Sequence, residues 1–314
     1  MSEEWTIERL VPGGDGFARL SDGRVGFATG ALPGDRIVVM RAEHKKSYSR
    51  AQRWELAQPS PDRVEPPCPI ADRCGGCNWM RLARPAQVAA KSSILAEALA
   101  RVGRFRDLGE IPMVLAGSDL HYRSRLRVHV DSTARLGLYA KKSHEVVALE
   151  RCAVSHPEID RALSVLRNLA QRHQRAMAAF KEIEIRIAPG GPLTTLWMIP
   201  RQGHAEHTAE LVADVSKHFP VSIAGEPGGV ADQRWPLPNG LELFAPPGAF
   251  TQVNWEVNLA LVRAVLDGAS ERGAKSFLDL YCGAGNFSLP LLRAGLSGLG
   301  IDRTGGGIRA ARRA

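Results

Sequence analysis

The stretch Phe277-Leu-Asp-Leu-Tyr-Cys-Gly-Ala-Gly-Asn-Phe287 constrains the fold more than any other part of the chain. Phe277 to Tyr281 predicts a buried parallel strand, Gly283 and Gly285 a tight turn, and Asn286 to Arg293 the start of a helix. A strand, a glycine turn and a helix bring backbone N–H groups up to a nucleotide-like ligand. A second apolar strand, Gly298-Leu-Gly-Ile301, ends in Asp302. That is roughly 20 residues past the first glycine, where an acid accepts hydrogen bonds from ribose hydroxyls. A dinucleotide fingerprint needs a third glycine, but Ser288 stands at that position and Asp279 precedes the turn. The pattern therefore fits S-adenosylmethionine better, since its sulfonium and ammonium groups are cationic and no pyrophosphate needs neutralising. On this segment alone, a plain strand–turn–helix packed by its glycines is the competing reading.

A chain of 314 residues with 44% apolar content suggests two or three packed domains. Its net charge of +8 favours a polyanionic partner, with a basic but indifferent surface as the alternative. The first ten residues carry Glu3, Glu4 and Glu8 and no apolar core, and no apolar run approaches the ~18 residues of a membrane span. The expectation is a cytoplasmic protein without signal peptide or membrane partner, and a monomer.

The cysteines are unevenly spread. Cys68, Cys74 and Cys77 form a Cys-x5-Cys-Gly-Gly-Cys group, Cys152 is isolated, and Cys282 lies in the glycine turn. Clustered cysteines in a cytosolic chain favour metal over disulfides. Gly75 and Gly76 allow a turn tight enough for Cys74 and Cys77 to face one centre. Three clustered thiolates and one distant one make a four-thiolate site, and the spacing leaves zinc and an iron–sulfur cluster both open. His156-Pro-Glu158 resembles half of a zinc-deaminase signature, but no Pro-Cys-x-x-Cys follows it. It reads instead as a helix start capped by Ser155.

Residues 1–58 predict an OB-like β-barrel, with strands near Thr6–Leu10, Gly16–Leu20, Val25–Ala28, Arg36–Ala42 and Tyr48–Leu56 separated by glycine turns. Arg41, Lys45, Lys46, Arg50 and Arg53 cluster beside Tyr48 and Trp54, a mixture suited to single-stranded nucleic acid, with a solvated hairpin as the alternative. A proline-rich linker, 59–69, leads into the cysteine group. A helix near Arg84–Val102 carries Val88, Leu95, Leu99 and Val102 on one stripe. Residues 59–245 predict an α+β central domain, with helices near 156–174 and 206–218 and strands near 182–188, 194–199 and 221–225. Arg123, Arg125 and Arg127 alternate along one strand face, a repulsive row that favours a polyanion lying there. Residues 246–314 open an α/β Rossmann-like domain, beginning with a helix capped by Asn254, buried through Val257, Leu261, Ala264 and Val265, and ended by Gly268.

In this order the residues resemble the RNA (uracil-5-)-methyltransferases, in particular the iron–sulfur-containing branch acting on 23S ribosomal RNA. The resemblance rests on a barrel similar to a TRAM domain, the Cys68/Cys74/Cys77 group with distant Cys152, Tyr122-Arg123, Phe250-x-Gln252-x-Asn254, and Asp279-Leu-Tyr-Cys-Gly-Ala-Gly-Asn-Phe287. It implies that Cys68, Cys74, Cys77 and Cys152 hold a 4Fe–4S cluster. It implies also that Gln252, Tyr281, Asn286 and Asp302 contact S-adenosylmethionine, and that the target is a uridine in a single-stranded or loop segment of ribosomal RNA.

In such a reaction a cysteine thiolate adds to uracil C6, making C5 nucleophilic towards the methyl group, and a carboxylate then removes the C5 proton. The base must leave its stack to meet both groups. The family's nucleophile and base lie C-terminal to the position of Asp302, and Cys282 is not that nucleophile. The expectation is a truncated methyltransferase, its 314 residues inactive alone. The alternative is a non-catalytic RNA-binding iron–sulfur protein.

Overall fold

A computed structural model describes residues 3–109, 111–189, 194–202, 207–226 and 229–314. The chain divides into two compact units, Met1–Val114 and Leu115–Ala314.

The first unit is built on β1 (Glu3–Thr6), β2 (Arg9–Leu10), β3 (Asp15–Arg19), β4 (Val25–Thr29), β5 (Arg36–His44) and β6 (Tyr48–Gln58). They form a six-stranded sheet in the order β1-β5-β6-β4-β3-β2, antiparallel except for the parallel β4–β6 pair. Alternation along these strands turns Trp5, Ala18, Ala28, Ile37, Val39 and Ala51 into one buried core. The segment following β6 is tied to this sheet by a buried carboxylate. Asp35 accepts the Leu32 and Ser60 N–H groups at 2.7 and 2.8 Å and pairs with the Arg63 guanidinium. Helix α1 (Arg84–Arg101) follows. Its predicted stripe is corrected, because Leu95 and Val102 are exposed while Ala86, Ala90 and Ile94 pack on Leu10, Leu32 and Leu82. A short alanine face fits a close approach that the larger side chains would prevent.

The second unit begins with β7 (Arg125–Val130), β8 (Leu136–Tyr139) and β9 (Val146–Ala148). Helices α2 (Pro157–Arg172) and α3 (Gln174–Ala178), strands β10 (Phe180–Ile187) and β11 (Thr194–Pro200), helix α4 (Ala209–Ser216) and strand β12 (Val221–Ile223) follow. Their six strands run in the order β12-β11-β10-β7-β8-β9. One face packs Leu126, Val128, Ile183, Ile185, Leu196 and Met198 under α2, whose Ile159, Leu163 and Leu166 are fully buried. The cap of α2 differs from expectation. His156 is the N-cap, its Nδ1 accepting the Glu158 N–H at 3.3 Å, while the Ser155 hydroxyl is buried without a partner. Pro157 at the first helical position sets φ and places His156, not Ser155, where the free N–H groups point.

The hairpin β13 (Gln233–Pro236) and β14 (Glu242–Ala245) leads through 246–254 to α5 (Trp255–Glu271). Asn254 caps α5 by accepting the Val257 N–H at 3.1 Å. The predicted buried stripe of α5 is inverted: Trp255, Asn258 and Val262 are buried, whereas Val257, Leu261 and Val265 are exposed. The helix also runs past Gly268 to Glu271. Then come β15 (Ser276–Leu280), α6 (Ser288–Arg293), β16 (Ser297–Ile301) and α7 (Gly305–Ala311). Strands β15 and β16 pair in parallel, with Leu278 and Leu280 exposed rather than buried as the apolar run suggests. No helix among the described residues is long and apolar enough to cross a membrane.

Candidate functional site

The turn after β15 carries a group of fixed polar side chains and backbone donors. Tyr281 sits in the left-handed backbone region at φ 65° and its side chain is 88% exposed. A bulky residue there is a genuine conformational outlier, of the kind that clusters at ligand sites. Its N–H and that of Cys282 both point to the Ile301 carbonyl, at 2.7 and 3.1 Å, so the turn is pinned to the end of β16. Asp302 closes the same end. One carboxylate oxygen accepts the Gly283 N–H at 2.9 Å, and the other accepts the Thr304 N–H and hydroxyl at 2.6 and 2.5 Å. The Thr304 hydroxyl and the two backbone donors hold the Asp302 carboxyl below its ordinary value, so it stands ionised beside the turn. Asp279, on β15 two residues before Tyr281, accepts the Ser288 hydroxyl at 2.6 Å.

Asn286 and Asn258 of α5 exchange two amide hydrogen bonds, at 2.8 and 2.9 Å. This pairing ties the glycine turn to the buried side of α5. Cys282 faces the opposite way, buried against Gly300, where an added Cβ would stand 2.9 Å from its sulfur. Burial, then the carboxylates of Asp279 and Asp302, push the Cys282 thiol above its ordinary value. It is a packing residue, protonated and shielded. Tyr281 and Asp302 therefore stand at one end of the β15–β16 pair with Asn286 behind them.

Gln252 belongs to the loop 246–254, which is strapped to the chain just before β7, an interior strand of the six-stranded sheet. Ser124 donates its N–H and hydroxyl to the Val253 carbonyl at 2.8 and 3.0 Å, and Arg123 bridges to Asn254. A cleft of about 700 Å³ opens beside Asn254, lined also by His121, Tyr122, Ser124, His156 and Trp255.

The predicted row of three arginines is not a bare cationic face. Arg127 pairs with Glu184 at 2.8 Å and Glu182 at 3.5 Å, both on β10 beside it. The Arg125 guanidinium lies 5.2 Å from the Phe250 ring, and its partial burial lowers its pKa. The side chain of Arg123 turns back to the Arg125 carbonyl at 3.1 Å. Period two predicts which residues share a face, but not that the neighbouring strand supplies the counter-charges.

On the first unit the basic cluster divides in the same way. Arg50 pairs with Asp15 at 2.5 Å and Lys45 with Glu43 at 2.6 Å. Arg41 and Arg53, both exposed, stand directly opposite each other across β5 and β6. Like charges so placed repel. Trp54 gives its indole N–H to the Thr29 carbonyl at 3.3 Å and packs on the core of the six-stranded sheet instead of lying free.

Cys68, Cys74 and Cys77 lie along the turn-rich segment before α1, Cys74 buried and the other two half-buried, and none of the five cysteines is in a disulfide. The Gly76 N–H points to the Cys74 sulfur at 3.4 Å. Cys152, in the second unit, is buried, with its N–H given to Asp160 at 3.0 Å. No three His, Cys, Asp or Glu side chains among the described residues are gathered as a metal site. A sulfur-only donor set fits zinc as well as an iron–sulfur cluster.

Residues 243–302, spanning β14 to Asp302, match the family model described as tRNA (Uracil-5-)-methyltransferase. The chain is 33% identical over 317 residues to the 23S rRNA (uracil(1939)-C(5))-methyltransferase RlmD of Acidithiobacillus ferrooxidans, covering 96% of this chain and 71% of that protein. The chain belongs to the RNA (uracil-5-)-methyltransferase family. A second family member of the same description, from Pectobacterium carotovorum, is 32% identical, with 95% of this chain and 67% of the relative covered. An RNA methyltransferase of Thermosynechococcus vestitus is 30% identical, with 95% and 72% covered. The crystal structure of Pyrococcus abyssi tRNA (uracil-54, C5)-methyltransferase in complex with S-adenosyl-L-homocysteine superposes with a TM-score of 0.74 at 22% identity. That superposition covers 98% of this chain and 75% of that one and shows a shared fold.

Asn258, Ser288 and Thr304 complete this methyltransferase turn and are absent from the sequence-level site. Thr304 two residues after an acid is a legible hydroxyl-turn signal. Asn258 in the first turn of α5 is not, because its partner Asn286 is distant in sequence.

Proposed function

We propose that these residues form the RNA- and donor-binding part of an S-adenosylmethionine-dependent enzyme that methylates uridine C5 in ribosomal RNA. The observation that carries this reading is the exposed, left-handed Tyr281 beside the ionised Asp302 at the C-terminal end of two parallel strands. Asp302 would accept the ribose hydroxyls of the donor, Tyr281 would cover its adenine, and Gln252 and Asn286 would complete the polar wall. Bound there, S-adenosylmethionine supplies the methyl group. The cleft beside Asn254 has room for an extruded base.

Cys282 does not serve as nucleophile, since its thiol is buried and raised in pKa. Cys68, Cys74, Cys77 and Cys152 would hold a 4Fe–4S cluster, for which sulfur-only ligation is the donor chemistry. The six-stranded N-terminal sheet, in the role of a TRAM domain over 1–58, and the central segment 59–245 would hold the RNA, with 246–314 holding the donor.

Equilibrium dialysis with labelled S-adenosylmethionine tests the donor site. Binding that is lost in Asp302→Ala is expected, and equal binding by that variant would overturn the assignment. Anaerobic purification should give brown protein with about four irons and four sulfides per chain, lost equally in Cys77→Ala and Cys152→Ala. Stoichiometric zinc without sulfide would overturn the cluster.

A further inference from the structure

We propose that Arg186 is a positioning residue for the donor site, holding the loop that presents Gln252. The inference rests on the donor-binding reading above. Arg186 lies on β10, is 3% exposed, and directs its guanidinium at the main chain of 246–249. Nη1 donates to the Pro246 carbonyl at 3.2 Å and Nη2 to the Ala249 carbonyl at 2.6 Å. Nη2 also donates to Glu184 Oε1 at 2.6 Å, and the other Glu184 oxygen accepts Arg127 at 2.8 Å.

Burying a guanidinium is costly, and a planar fork satisfied by two carbonyls and a carboxylate fixes those acceptors in direction as well as distance. Gly248 lies between the two carbonyls with φ 75°, its backbone flat on the Trp197 ring, so close that a Cβ there would stand 2.7 Å from the indole. Arg186 therefore grips the loop from one side while Trp197 supports it. Downstream, the Ser124 bonds to Val253 and the Arg123 bridge to Asn254 hold the other end. Phe250, Thr251 and Gln252 span the gap between the two anchors. Moving the first anchor moves Gln252 without touching Tyr281, Asp302 or any cation on the first unit.

The experiment compares wild type, Arg186→Gln, Gln252→Ala and the double variant by equilibrium dialysis with labelled S-adenosylmethionine, by RNA binding, and by amide hydrogen exchange. Arg186→Gln should weaken donor binding about tenfold, the size expected for losing charge-assisted bonds. RNA affinity should be unchanged, exchange should accelerate within 246–254, and the double variant should bind no more weakly than Gln252→Ala. Gly248→Ala, which leaves Arg186 and Glu184 intact, should reproduce the donor defect if Arg186→Gln fails to fold. Multiplying effects in the double variant, or an Arg186→Gln variant with wild-type affinity, would overturn the proposal. If wild type binds no donor, the donor-site reading falls, and unaltered exchange of 246–254 in Arg186→Gln then overturns the positioning role independently.

Discussion

Asn258 and Asn286, 28 residues apart, exchange both amide hydrogen bonds at 2.8 and 2.9 Å, and Asn258 is completely buried. Helix α5 is thereby fastened to the glycine turn that follows β15. Because each amide satisfies the other, removing one leaves a buried donor and acceptor unpaired. Asn258→Ala should lower stability by about 1–3 kcal/mol, read as a reduced melting temperature. The double change Asn258→Ala with Asn286→Ala should cost less than the two single costs added.

Cys282 is expected to resist alkylation in the folded chain. Burial and the carboxylates of Asp279 and Asp302 raise its thiol pKa, so little thiolate forms at neutral pH. Timed iodoacetamide labelling at pH 7.5, followed by peptide mass spectrometry, should find Cys282 modified only after denaturation. Rapid labelling in the native state would restore it as a candidate nucleophile.

Arg41 and Arg53 face each other across β5 and β6, a repulsion that bound phosphate would relieve. Replacing both with alanine should weaken single-stranded RNA binding and reduce the slope of log affinity against log salt by about 1.4, at ~0.7 per phosphate contact. Arg127→Ala serves as the contrast. Its partner Glu184 is buried, so that variant should melt earlier while keeping the wild-type salt slope.

Asp214 ties the α2–α3 junction to α4 by accepting from His173 Nε2 at 2.9 Å and Lys217 Nζ at 2.6 Å. The Lys217 bond first, then the His173 bond, lowers its carboxyl to about 2. The folded value lies below the ordinary 3.8, so the stabilisation is present above 3.8 and is lost as pH falls towards 2. Asp214→Asn should be less stable than wild type at pH 7, with the difference closing at pH 2–3 in denaturant titrations. A constant difference across that range would remove Asp214 from the acid transition.

Much of the stretch from Asn254 to Asp302 was legible in sequence because local rules decide it. The β15 strand, its glycine turn, the Asn254 cap and the Asp302 terminus all follow from residue type and spacing over short separations. The β-rich start was legible for the same reason, since alternation and glycine turns recur at short intervals. Faces were harder. On α5 the larger aliphatic side chains suggested burial of Val257, Leu261 and Val265, yet Trp255, Asn258 and Val262 are the ones turned inwards. A helix with apolar residues on two sides has no single periodic answer, and the buried face is chosen by what packs against it.

Sequence by itself determined the order of elements, the class of ligand turn and the chemical types available: four candidate cluster thiols, an ionisable acid at the second strand end, and a cationic chain. Only tertiary structure decided which charges are spent internally. Glu182 and Glu184 come from a strand more than fifty residues beyond Arg127, and Asp15 reaches Arg50 across 35 residues. Coulombic pairing depends on a few ångströms of separation in space, a quantity that residue spacing along a chain does not contain. Arg41 and Arg53 are brought face to face by strand register, and Arg186 reaches the loop carbonyls only once that loop crosses the sheet.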